Sequence, residues 1–98
     1  MMKNETDITC TVRKLLATGR KPTIPEVVPI VKAFYALPHN FAGGSLHVVL
    51  GDGNVQDNFV KFCLEEAERV GDEDAAAIAR LLLAMSKTQR IKLARRLT

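Results

Sequence analysis

The run Ala75–Met85, AAAIARLLLAM, constrains the fold more than any other stretch of the chain. Alanine, leucine and methionine are strong helix formers. At about 100° per residue their side chains cover almost the whole circumference of a helix. Only Arg80 interrupts them. A helix apolar on all sides is buried in a core or spans a membrane. This run is shorter than the roughly 20 residues that a span requires. It is therefore expected to be the hub of a soluble bundle, with neighbours on most sides. If the other helices do not cover it, a second copy of the chain must, which brings homo-oligomerisation into view.

Arg80 has two readings. It either reaches to the bundle rim through its aliphatic stem, or pairs with a carboxylate on a neighbouring helix. Glu66 is the candidate partner, because it projects between Phe59, Phe62 and Val70 on the apolar side of its own helix. A carboxylate there needs a cation or donors.

The expected architecture is all-α: a four- to five-helix bundle around residues 74–85, with residues 1–98 forming one domain. Residues 7–18 carry Ile8, Val12, Leu15 and Leu16 at helical spacing and end at Gly19, although their β-branched run also suits a strand. Thr23-Ile24-Pro25-Glu26 is a capping box. It opens a helix in which Pro29 predicts a kink or a late start, and which Pro38 ends. Asn54 is expected to cap a helix running to Val70, closed by Gly71. Its predicted apolar face is Val55, Phe59, Val60, Phe62, Cys63, Leu64, Ala67 and Val70. Asp72 caps the central helix. Ser86-Lys87-Thr88-Gln89 opens a last helix that buries Ile91, Leu93, Ala94 and Leu97. Residues 46–50 fit a short helix capped by Ser45 or a short strand. Helix is favoured, since no second strand is available to pair with it.

Charge is distributed unevenly. Residues 57–74 hold seven acids (Asp57, Glu65, Glu66, Glu68, Asp72, Glu73 and Asp74) against Lys61 and Arg69. No acid follows Asp74, and the six later bases include Lys87, Arg90, Lys92, Arg95 and Arg96. These five make the last helix a candidate binding surface for nucleic acid or an acidic protein. Helix-turn-helix reading of bases is disfavoured, because the turn lacks glycine and Gln89 falls where an apolar anchor is usual.

The second candidate surface is the glycine-framed segment Gly43, Gly44, Ser45 and His47, with Asp52 and Asn54 beyond it. Its backbone N–H groups could receive an anion such as a nucleotide phosphate. No Lys-Ser/Thr follows, so it is not a P-loop. His39, His47, Asp52 and Asn54 match no metal-ligand spacing, and no metal or cofactor is expected. No nucleophile stands out, so the chain is read as a binder and not an enzyme. Cys10 and Cys63 are far apart and read as free thiols in a reducing cytosol. The polar N-terminus lacks the apolar core of a signal peptide, so a cytoplasmic location is expected.

The segments Gly43–Val55, GGSLHVVLGDGNV, and Met85–Arg90, MSKTQR, resemble small helical proteins of bacteriophages and prophages. The likeness covers roughly the C-terminal two thirds of the chain, and those proteins are mostly of unassigned function. It implies an accessory factor that acts by binding. Such a factor blocks a host protein, as an anti-CRISPR inhibitor does, sequesters a signalling nucleotide, or regulates phage DNA.

Overall fold

The computed structural model describes residues 7–37, 41–53 and 55–97. Six helices lie among them: α1 (Asp7–Ala17), α2 (Ile24–Tyr35), α3 (Phe41–Gly51), α4 (Asp57–Val70), α5 (Glu73–Ala84) and α6 (Lys87–Leu97). The all-α expectation holds, with more helices than the four or five expected.

Helix α5 is the hub. Ala75, Ala76, Ala77, Ile78, Ala79, Leu81 and Leu82 are all buried. Its most extensive packing is against α4, then α1, with α3 and α2 completing the enclosure. The apolar hub is thus covered by its own chain and makes no demand for a second copy. Helix α6 lies against α2 and α3.

Local chemistry sets most of the boundaries. The Glu26 carboxylate accepts from the Thr23 N–H (3.1 Å) and from the Thr23 hydroxyl (2.8 Å), closing the start of α2. Pro29 lies inside α2, which begins at Ile24 without delay. Pro38 falls outside the described residues; α2 has already ended at Tyr35. Gly71 takes a left-handed φ of 75° and its N–H bonds back to the Ala67 and Glu68 carbonyls, stopping α4. Only glycine adopts that conformation at low cost. The Asp72 carboxylate then accepts from the Ala75 N–H at 3.1 Å and starts α5. The chain turns from one helix into the next within two residues.

Two local expectations are corrected, and the favoured helix over residues 46–50 holds. Gln56 is the N-cap of α4, and its carbonyl accepts from Val60 at 3.1 Å; Asn54 lies outside the described residues. Ser45 sits inside α3 instead of capping it. Residues 46–50 belong to this full helix, which buries Leu46 and Leu50 completely. The four-residue spacing of those leucines suits one helical face, and their burial outweighs the helix cost of about 1 kcal/mol for each of Gly43 and Gly44.

Candidate functional site

Helix α6 divides its basic residues in two. The Ser86 hydroxyl accepts from the Gln89 N–H at 3.2 Å and sets the start of the helix. One turn on, Arg90 points inward and is only 4% exposed. Its Nη1 donates to the Val55 carbonyl at 2.7 Å, its Nη2 to the Asp57 carboxylate, and Nε and Nη2 reach the Met85 carbonyl at 3.4 Å. This corrects the sequence reading, which placed Arg90 on the outward binding face. Val55 leads into α4, and Met85 ends α5; both residues are buried, and their carbonyls need donors. A planar guanidinium has enough N–H groups in fixed directions to serve both.

The Arg90 hydrogen bond and charge hold the Asp57 carboxyl below the usual carboxylate range. A depressed folded-state pKa contributes stability that is complete above the unfolded value and is lost as pH falls through the folded one. Acid unfolding is therefore expected to be shallower in Asp57→Asn than in the wild type between about pH 5 and pH 2. The difference between the two proteins is the test, because Glu26 is lowered as well, by the Thr23 hydrogen bonds and Arg20. Urea unfolding across that pH range should give converging stabilities at the acid end. Parallel curves would refute the linkage.

The remaining cations of α6 face water. Lys87, Lys92, Arg95 and Arg96 are exposed, Leu93 and Ala94 are buried, and Ile91 and Leu97 are half-buried. Arg95 borders a hollow of about 340 Å³ together with Gly51, Asp52, Gly53, Ile91 and Ala94. One member of the glycine-framed set, Asp52, thus lines the same hollow as one member of the basic set. Gly43, Gly44, Ser45 and His47 all lie within α3 and do not form a loop. From Ser45 onward the helix occupies their N–H groups, which leaves only the first turn to receive an anion. A Cβ at Gly44 would meet no atom within 4 Å, so neither packing nor backbone conformation explains glycine there.

The outer side of α4 differs from expectation. Only Val60, Cys63 and Ala67 of α4 enter the core. Burial pushes the Cys63 thiol up. Phe59, Phe62 and Val70 are 40%, 56% and 44% exposed. They share a side of the helix with Glu66, which does not meet Arg80. Glu66 pairs with Arg69 at 2.7 Å, one turn along its own helix. Arg80 does reach α4, but it takes Glu68 at 2.8 Å, with both side chains near half exposure. The proposed Glu66–Arg80 pair is thereby overturned. Glu68 lies about 160° around α4 from Glu66, so the face turned toward α5 presents Glu68. Sequence reasoning put Phe59, Phe62 and Val70 in the core; the carboxylate in their midst was the signal that this side is wet.

A second concavity, of about 370 Å³, lies between α1, the end of α4 and the start of α5. Glu68, Asp72, Glu73 and Arg80 line it, and the Thr9 hydroxyl at its edge donates to Asp74 at 3.2 Å. Among the described residues no group of His, Cys, Asp and Glu is arranged to hold a metal ion. No helix among them is long and apolar enough to cross a membrane.

Comparison with protein families, curated proteins and solved structures finds no match. Function is accordingly argued from the chemistry of these surfaces.

Proposed function

We propose that the protein acts by binding another protein, not by catalysis, with the outer side of α4 as the contact surface. The exposure of Phe59, Phe62 and Val70 along one helix carries this reading. Burying aromatic side chains is favourable, and aromatic residues anchor interfaces. Glu65 and Glu66 lie beside them, with Glu66 already paired to Arg69. The fitting partner therefore presents an apolar pocket with a cationic rim. The likeness of residues 43–55 and 85–90 to small phage proteins is what suggests a host protein as that partner, and inhibition of a defence protein as the outcome.

The test uses tagged protein purified from phage-infected bacteria with nuclease present, followed by native mass spectrometry and affinity measurement on the purified complex. Wild type is expected to hold a protein partner at fixed stoichiometry. Phe59→Ser/Phe62→Ser should lose at least about tenfold in affinity, in line with two anchor residues. Its stability should fall by less than a core phenylalanine truncation costs, since Phe59 and Phe62 already keep 40% and 56% of their surface exposed. A partner held equally well by this variant would place the contact elsewhere and end the proposal.

A further inference from the structure

We infer that the outward face of α6 is a second binding surface, separate from α4, and that its ligand is the phosphate backbone of duplex nucleic acid, read without regard to sequence. Thr88, Lys92, Arg95 and Arg96 are exposed and fall within about 100° of arc on this helix. Lys92 and Arg96 stand one turn apart, about 6 Å along the axis. Lys87 lies at the N-terminal end of the same helix. Among the described residues no carboxylate lies within ion-pairing distance of Lys87, Lys92 or Arg96.

Helix stability does not account for this charge. Cations in the last turn suit the helix dipole, which covers Arg95 and Arg96. Lys92 lies before that turn. Lys87 occupies the first position, where the helix dipole disfavours a cation; its charge is felt by Asp57 across the start of α4, and the first turn of α6 itself contains no acid. By contrast α1, α2, α4 and α5 all carry an acid in their first turn. Arg90, which does serve the fold, is withdrawn from the surface.

The chemistry of the face selects among polyanions. A helix that lies on a membrane needs apolar side chains beside its cations; α6 turns Leu93 and Ala94 into the core. A single-strand platform needs aromatic rings for base stacking, and α6 has none. What remains is point-charge attraction to closely spaced phosphates, densest on a duplex at about one charge per 1.7 Å of axis.

Fluorescence anisotropy of a labelled 20-base-pair DNA duplex, titrated with the full chain at several KCl concentrations, tests the inference. Binding should be weak, with Kd of about 10⁻⁴–10⁻⁶ M at physiological salt. With three or four cations engaged, log K against log salt should have a slope of about −3. Lys92→Gln/Arg96→Gln should flatten that slope by about 2. Phe59→Ser/Phe62→Ser should leave it unchanged, which separates this surface from the proposed protein contact. Circular dichroism of each variant confirms folding, since all four positions are exposed. Absence of duplex binding at low salt, an unchanged slope in the Lys92/Arg96 variant, or tighter binding to vesicles of phosphatidylserine and phosphatidylcholine would each overturn the inference.

Discussion

Arg90→Met is expected to destabilise the fold by about 3–5 kcal/mol, within what two buried carbonyls left without donors cost together. The loss does not come from an orphaned buried charge, because Asp57 is exposed and returns to water. It comes from the Val55 and Met85 carbonyls, whose guanidinium donors are removed. Each buried polar group left without a partner costs roughly 1–3 kcal/mol. Methionine roughly fills the space left by the stem of Arg90, so the experiment reports on the hydrogen bonds more than on a cavity. For a domain of this size the change corresponds to a fall of about 12–40 °C in melting temperature. Arg90→Lys should recover only part of it, because an ammonium cannot reproduce the fork that reaches both carbonyls. Thermal unfolding by circular dichroism measures both variants. A fall of less than about 5 °C in the methionine variant, corresponding to roughly 1 kcal/mol, would mean that water satisfies those carbonyls.

Leu81→Ala is the second large effect. Leu81 is fully buried on α5, the helix that touches α4, α1, α3 and α2. A void there is enclosed by several elements and cannot close by moving one of them. Truncations of this kind cost about 2–5 kcal/mol, the upper part of the range applying where the site relaxes least. Leu83 is only half-buried on the same helix, so Leu83→Ala should cost distinctly less. Urea denaturation separates the two if the slope of free energy against urea stays constant. Equal losses would show that the centre of the hub repacks as freely as its edge.

The features readable in advance are those encoded by neighbouring residues. Thr23 with Glu26, Asp72 with Ala75, and Ser86 with Gln89 are capping interactions made within three residues. Gly19 and Gly71 take the positive φ angles that stop helices. The apolar run of α5 announced a hub, since it had no polar side to offer water.

What the sequence did not reveal depends on how helices are rotated against one another. Arg90 finds Val55 and Asp57 more than thirty residues away, and nothing near Arg90 distinguishes it from Lys92. The choice of Glu68 over Glu66 for Arg80 likewise follows from the phase of α4 against α5. The wide apolar face assigned to α4 was correct in composition but covered on one side only. The second half of the Ser86–Gln89 box also failed to form: Gln89 Oε1 is buried and has no hydrogen-bond partner among the described residues. For the candidate surfaces, the basic character of α6 was readable residue by residue, whereas the outward placement of the phenylalanines was signalled by Glu66 alone.

The Arg90 clasp also bears on how the protein folds. Helices α4 and α5, separated by the short turn at Gly71 and Asp72, are neighbours along the chain, and contacts between sequence neighbours form with little loop-closure entropy. Arg90 reaches Val55 across 35 residues, so that closure carries a larger entropic cost. The bundle therefore gains its hub before its fastener, and until Arg90 arrives water serves the Val55 carbonyl in its place.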